Sequence, residues 1–400
     1  VTQFDQQPGR SDPTARGVSS QGWFPPTESA PAPTGQASTK LVIALAGVAV
    51  VAVVIAAVAV FGSLGGSAEA PTPSPGVAKA INPGPLTEPA KAIGNSVATP
   101  TAGGAVFVGP TPGYLEVAPN GAYGYIANRA AGVLTVYDAV RNTVTGTIPV
   151  KDGGPQFVAF APDGNRAYVS IFNNDRTVNE VGVLDTSTGA FIAKVPTGIR
   201  PFALVVSPDG GKVYVPNHDS GNITVIDTAT NSVAGDIKVA PNPHWLAMSK
   251  DGTRLYSANH ESNLVTVIDT SNNAILATVP VGKSPHSIVA HPTKPLVFVV
   301  NYDSSSVSVI DTNTNGVVAT VPTGSHPQDI TLAADGKHAY LACVDENAIE
   351  VLDTSTFKIT ATVPVGKSPT SVAVSTDGRQ AYVTNLADGT VTQLNIAGTA

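Results

Sequence analysis

Residues 201–239 read PFALVVSPDGGKVYVPNHDSGNITVIDTATNSVAGDIKV. Apolar and polar residues alternate in Ile223-Thr224-Val225-Ile226 and around Val213-Tyr214-Val215. Period-two alternation rich in Val, Ile, Tyr and Thr predicts half-buried strands. Turn residues separate them. In Ser207-Pro208-Asp209-Gly210, Pro presets φ, Asp accepts local hydrogen bonds and Gly takes positive φ. Asn217-His218-Asp219-Ser220-Gly221 and the segment from Asp227 to Asn231 mark two further turns. The stretch is therefore four short antiparallel strands, A to D, the unit of a β-propeller blade.

The unit repeats. Asp185, Asp227, Asp269, Asp311 and Asp353 stand 42 residues apart, and Asn395 falls at the next step. Asp138 lies 47 residues before Asp185, so one copy carries an insertion. A fixed period near 40 residues indicates a propeller or a stacked array. The strand-B endings Tyr125–Asn128, Tyr168–Ile171, Tyr214–Asn217, Tyr256–Asn259, Phe298–Asn301, Tyr340–Cys343 and Tyr382–Asn385 count seven blades. The last copy stops after strand C, near Ile396. Residues 104–109 precede the first strand A as a strand D would, and are expected to complete the seventh blade. Closure of that kind removes exposed sheet edges. The expected fold is all-β, a seven-bladed propeller over residues 104–397.

Tyr382-Val383-Thr384-Asn385 is the signature of the YVTN β-propeller repeats. The Ser-Pro-Asp-Gly and Val-Ile-Asp-Thr elements resemble the same family over about residues 104–397. The Gly-His and Trp-Asp pairs of WD40 blades are absent. The resemblance implies similarity to cytochrome d1 and lactonase-type propellers, but no lactonase catalytic set maps onto residues of this sequence.

The front quarter differs. Leu41 to Phe61 is 21 residues without a charge. As a helix rising 1.5 Å per residue it spans about 30 Å, the hydrocarbon thickness. A cleaved signal peptide is the competing reading, since Ala68-Glu69-Ala70 is a small-residue cleavage pattern. The length of the apolar run and the 40 residues before it favour an uncleaved single-pass helix. Arg10, Arg16 and Lys40 precede the run and no Lys or Arg follows until Lys79. The positive-inside rule then places residues 1–40 in the cytoplasm and the propeller outside, in a membrane of bacterial style. Residues 1–40 and 62–103, rich in Pro, Ser, Gly and Ala, read as disordered tail and tether.

Charge excludes some partners. The chain has 22 Lys plus Arg against 29 Asp plus Glu, a net −7, and the excess acid belongs to the repeats. An acidic domain without a basic stripe is not expected to bind nucleic acid. The single cysteine, Cys343, forbids an internal disulfide and any Cys-x-x-Cys-His haem attachment. At a strand end, it reads as a small buried residue. No phosphate loop or nucleophile elbow is present. The repeated Asp-Gly and Asp-Thr carboxylates read as turn caps, and the Asn ladder Asn217, Asn259, Asn301 and Asn385 likewise caps B–C turns.

All seven histidines lie in the repeats. B–C loops and D-to-A connections share one face of the disc, the upper face. His218 and His260 fall in B–C loops. His244 and His286, 42 residues apart, each follow a Pro at the start of strand A, and His326 precedes Pro327. His291 and His338 belong to the lower face. The carboxylates Asp219, Glu261, Asp303 and Asp345 share the upper rim, and Trp245 and Gln328 are close in phase. His244 and His286, on the innermost strand, are the candidate ligands of a divalent metal. The rim as a whole is suited to a metal, a planar cofactor or a small polar ligand. Duplication of blades would cluster the same side chains without any site.

Two functions remain open. One is a non-catalytic binding module for a ligand, a cell-envelope component or a protein partner. The other is a metal- or cofactor-dependent enzyme of lactonase or d1-like type on the histidine face. Sensing would need a separate cytoplasmic partner, because 40 residues hold no kinase.

Overall fold

The computed structural model describes residues 95–398. They form 28 strands in seven four-stranded antiparallel sheets, with no helix among the described residues. Each sheet is one blade. The strands A carry a proline at their start, Pro112, Pro155, Pro201, Pro243, Pro285, Pro327 and Pro369, although in blade two the strand begins one residue earlier, at Gly154, and in blade three only Val205–Val206 is a regular strand, with Pro201 in an isolated bridge to Asn217. The apolar run 41–61 and the flanking segments 1–40 and 62–94 lie outside the described residues.

The ring closes by the expected exchange. Ser96–Phe107 is the outer strand of blade seven and pairs antiparallel with Thr390–Ala397, from Phe107 opposite Thr390 to Ser96 opposite Ala397. The closing strand is longer than 104–109. It takes in the last residues of the segment expected to be tether, with register shifts between Ser96 and Thr101 and between Ala102 and Ala105. Pro100 is tolerated because an outermost strand leaves one side unpaired. The start of the strand is clamped to blade six. The Ser96 N–H and hydroxyl donate to Asp335 carboxylate oxygens, both at 2.8 Å, and the same hydroxyl lies 2.6 Å from Nδ1 of His338.

The 47-residue spacing has two sources. The connection before Pro155 is one residue longer than the one before Pro201, and the B–C region of blade two holds four more. Strand B of that blade runs through Phe172, and strand C resumes at Asn179.

The core sits between adjacent blades. Tyr125, Tyr168, Tyr214, Tyr256, Phe298, Tyr340 and Tyr382 recur on strand B and are buried. The Tyr382 hydroxyl donates to the Ala139 carbonyl, 2.9 Å away in blade one, so the closing pair of blades is joined by side chains as well as by strands. The repeat aspartates are turn caps, as expected. Asp353 Oδ1, for example, accepts from the Ser355 hydroxyl and from the Ser355 and Thr356 N–H groups, and these bonds hold its carboxyl down to about 2.

The asparagine ladder does more than cap. Asn217, Asn259 and Asn385 each donate from Nδ2 to a strand-C threonine, Thr224, Thr266 and Thr392, and Asn301 to Ser308, at 2.8–3.0 Å. Blade six replaces this pair with Cys343 and Glu350. Cys343 is fully buried, and burial pushes its thiol well above the usual range. Glu350 accepts the Gly324 N–H at 3.0 Å, and its carboxyl is raised by burial.

Candidate metal and ligand site on the upper face

Two backbone devices position the site. First, the residue before the strand-A proline adopts a left-handed conformation in five blades: Arg200, Asn242, Ser284, His326 and Ser368 have φ of 52–62°. That conformation is uncommon for non-glycine residues. Their carbonyls accept the N–H of the residue after strand B: His218 (3.0 Å), His260 (2.8 Å), Tyr302 (2.9 Å), Val344 (3.2 Å) and Leu386 (2.9 Å). Second, strand A carries a register shift immediately after its proline, between Pro243 and Trp245, Pro285 and Ile288, and Pro327 and Asp329. A bulge re-aims the side chain at the extra residue. His244, His286 and Gln328 occupy that position.

The result is a cluster of four imidazoles. Ring centroids are 4.1 Å apart for His244 and His286, 5.6 Å for His244 and His260, 5.7 Å for His260 and His286, 5.9 Å for His218 and His244, and 6.2 Å for His218 and His260. All four are buried. Burial is the main cause that keeps each of them below the ordinary histidine range. His260 is down to about 4 and His286 to about 3, with the neighbouring imidazoles adding to the effect. His244 is also well below, and burial lowers His218 against the opposing bond to Asp219. Neutral imidazoles are the form that binds metals.

Hydrogen bonds fix the tautomers, because the partners only accept. The His244 Nδ1–H donates to the His286 carbonyl (3.1 Å), and the His286 Nδ1–H to the Gln328 carbonyl (2.8 Å). The His218 Nδ1–H donates to Asp219 Oδ1 at 2.8 Å. Asp219 is itself held by Arg200 Nη1 (3.1 Å) and Arg176 Nη1 (2.6 Å). His218 and His244 thus keep Nε2 for a ligand, whereas His286 Nε2 accepts from Gln328 Nε2 at 3.4 Å. The Nδ1 of His260 is buried without a hydrogen-bond partner. His218, His260 and Glu261 can each offer a ligand atom within 4.8 Å of the others, a spacing that suits a bound ion.

The expected site residues divide accordingly. His218, His244, His260 and His286 come together, and Glu261 joins the outer pair. The metal spacing therefore falls on His218, His260 and Glu261, whereas His244 and His286 form the inner pair behind them. His326 lies to one side, stacked on Tyr302 at 4.6 Å, with its Nδ1–H donating to Asp345 at 2.6 Å. Asp303 accepts the Ser284 hydroxyl and so braces a left-handed turn. Gln328 donates from Nε2 to the Tyr114 hydroxyl at 3.2 Å. Trp245 packs across the axis on Tyr114 (4.8 Å) and Phe157 (5.1 Å), which touch each other at 5.4 Å. This trio from blades one, two and four plugs the centre of the ring below the histidines. Of the lower-face histidines, His291 is satisfied as a loop staple, donating from Nε2 to Gly336 and accepting Thr293 and Lys294 N–H groups.

Sequence reasoning missed several neighbours. Phe202 lies 4.3 Å from His244 and 5.7 Å from His218. It occupies the same register as His244 and His286, directly after Pro201, which was the available signal. Arg129 follows strand B in blade one, and Phe172, the last residue of strand B in blade two, stands at the same phase. Asp329, in phase with Trp245, accepts the Ser287 hydroxyl (2.8 Å) and the Val372 N–H (3.0 Å), stitching blades five, six and seven near the axis. Burial raises it to about 6. Burial, with the Asp329 charge second, raises Glu116 to about 8. A second group of possible ligands, Cys343, Glu346 and Glu350, marks the blade-six departure.

Comparison with known proteins agrees with the fold. The family described as lactonase, 7-bladed beta-propeller, matches residues 227–323, and the cytochrome D1 heme domain matches residues 291–396. No curated protein matches the chain. A solved chain of Kuenenia stuttgartiensis hydrazine synthase is 23% identical, with 72% of this chain and 96% of that chain covered at a TM-score of 0.66. That likeness is one of fold. A haem is what the second family would bring, and the residues here do not fit one along the axis. The Tyr114, Phe157 and Trp245 rings fill it, and residues 291–396 omit all four clustered histidines. The chain is a seven-bladed β-propeller with stretches similar to lactonase and cytochrome d1 propellers.

Proposed function

We propose that this chain is a membrane-tethered, extracytoplasmic binding propeller that holds a divalent transition metal ion at His218, His260 and Glu261. The observation that carries the reading is the pairing of a buried, unpartnered His260 Nδ1 with a His218 ring whose other nitrogen is locked by Asp219. A carboxylate behind a ligating histidine fixes the tautomer and raises ligand basicity. Two imidazoles and one carboxylate favour zinc, nickel or copper over magnesium or calcium. The tether and export rest on the uncharged run 41–61 and the basic residues before it. The partner would be a ligand, a cell-envelope component or a protein engaged on the same face.

The test is elemental analysis of the purified full chain with thermal-shift screening against zinc, nickel, copper, cobalt and manganese. The reading expects one ion per chain and a melting temperature that rises with it. No bound ion and no shift with any metal would end it.

A hydrolytic reading has one observation in its favour: the lactonase match spans His244, His260, Glu261 and His286. A divalent ion at the trio would supply Lewis acidity for opening a lactone. The protein's own part would be to hold the ester and the attacking water, with the neutral His244 Nε2 accepting the water's proton as its oxygen adds to the acyl carbon and the ring C–O bond breaks to give the hydroxy acid. Turnover of sugar lactones that needs metal and is lost in His260→Ala would establish it.

A further inference from the structure

Side chains two apart on a strand lie on the same side. Tyr114 reaches Trp245 across the ring axis, so Glu116, two residues on, lies on the axis side of blade one, below the aromatic plug. The matching residues of the other strands A are Ala159, Val205, Ala247, Val289, Thr331 and Ala373. Ala247 and Ala373 keep 8% of their surface and the other five residues at this level are half-buried. The residues one step earlier, Leu115 and its counterparts, keep at most 3%. The level of Glu116 therefore surrounds an open chamber on the axis, with Tyr114, Phe157 and Trp245 as its roof.

Two polar groups facing this chamber have no partner. The Glu116 carboxylate and the Thr331 hydroxyl make no hydrogen bond or ion pair among the described residues. Asp329 stands two residues before Thr331, but the Ser287 hydroxyl and the N–H groups of Ile330 and Val372 hold its oxygens. It adds charge from a fixed position. One wall of the chamber is thus acid and hydroxyl, from blades one and six, and the remainder is alanine and valine.

We propose that this chamber binds the ammonium head of a primary alkylamine, held by Glu116 and Thr331, with its alkyl chain against the alanine and valine walls. A carboxylate on an apolar wall is stabilised by a cation. A hard metal ion takes six or more oxygens, which these walls do not offer. An ammonium carries three N–H donors for the two oxygen groups, and aromatic rings beside it add attraction. The chamber needs no metal reading, because the plug separates it from the histidines.

The chemistry has a pH signature. The Glu116 carboxyl stands at about 8, through burial first and the Asp329 charge second. An ammonium binds the ionised form, so affinity should climb about tenfold per pH unit toward pH 8 and level off above it. The other titratable groups on the axis side, from the plug downward, are Tyr114, Asp329 and His291. Burial raises Tyr114 and keeps it neutral, and Asp329, at about 6, is already ionised in that window. His291 is lowered by burial and spends both ring nitrogens on backbone groups.

The experiment is calorimetric titration and thermal shift of the full chain with chelator present, so that no amine is counted through a metal ion. n-Butylammonium chloride is the probe, with n-butanol and sodium chloride as controls. Wild type should bind butylammonium saturably and neither control. A capped glycine-lysine-glycine peptide is the second probe. Tighter binding of butylammonium marks a free amine as the ligand, and tighter binding of the peptide marks a lysine side chain. E116Q should weaken binding about tenfold or more, the equivalent of about 1.4 kcal/mol, and lose the pH dependence. T331V should weaken it less. A247L, which fills the chamber from across the axis and keeps Glu116, should also block it. Equal binding of butanol, an E116Q titration identical to wild type, or an affinity flat from pH 6.5 to 8 would overturn the chamber. Each of these results leaves the metal reading in place.

Discussion

The Nδ1–H of His244 donates to the backbone carbonyl of His286, 3.1 Å away in the next blade, at the equivalent position 42 residues on. His286 repeats the bond to Gln328. Each inner imidazole is thus oriented by its successor, and the orientation comes from backbone geometry that the repeat preserves. Replacing His286 with another residue leaves the bond that orients His244 in place, because only the carbonyl is used. His286→Gln should therefore alter the site without displacing His244, and a crystal structure of that variant should show the His244 ring within about 0.5 Å of its place.

Metal affinity should depend on Asp219 as well as on the ligands. Asp219→Asn keeps the size of the side chain and removes the carboxylate that locks His218. It should weaken metal binding 10- to 100-fold, the usual cost of losing such a partner. His260→Ala should abolish the metal-dependent shift. Titration with zinc followed by calorimetry reads both.

Acid should weaken the fold through the buried imidazoles. Their folded-state values, about 4 for His260 and about 3 for His286, lie below the ordinary 6.5. Below pH 6.5 the unfolded chain takes up protons that the folded cluster refuses, so stability present above that pH is lost as pH falls toward 3–4. His260→Asn should flatten the fall in melting temperature between pH 6.5 and 4. An unchanged slope would refute the assignment.

Glu116 works in the opposite direction. Its folded value of about 8 lies above the ordinary 4.5. The stability it contributes is complete below pH 4.5 and is lost as pH rises to 8, because the unfolded chain ionises first. Glu116→Gln should raise the melting temperature at pH 8 relative to wild type and leave it little changed at pH 4. Urea midpoints at the two pH values give the comparison.

Blade six should accept the pair used by its neighbours. Cys343→Asn with Glu350→Thr restores the cross-strand bond seen at Asn217 and Thr224. Each single change leaves a buried polar group without its partner, at a cost of about 1–3 kcal/mol. The double variant should recover most of that loss, and a double-mutant cycle by chemical denaturation measures the coupling.

Much of this architecture was legible in the sequence. The 42-residue spacing of aspartates gave the repeat, the strand-B endings gave the blade count, and the truncated last copy gave the closure, because a ring must pair its final edge. The start at Ser96 was not legible. Thr99 to Gly104 contains Pro and two Gly and lacks a strand pattern, and only the neighbouring edge and the Asp335 clamp make it one. The face of the histidines followed from phase. Their grouping into an outer pair with Glu261 and an inner pair did not, because it depends on which nitrogen each ring spends on the backbone. Asp303 looked like a rim ligand and is a turn brace, since a carboxylate beside a left-handed serine has a nearer use. Arg129 and Phe172 escaped notice because neither continues the pattern of its neighbours, and the second lies beside the insertion.

The closing strand also sets the handedness of attachment. Strand D of a blade runs from the lower face to the upper, so the closing strand begins at Ser96 beside Asp335 and His338, opposite the imidazoles. A hold placed at Asn95, whether a sensor chip or a fused carrier, lies on the face away from the imidazoles. A pull between that hold and a captured ligand then loads the Ser96–Phe107 pairing along its length, in shear, where many hydrogen bonds resist together. The same strand that completes the circle serves as its mechanical mooring.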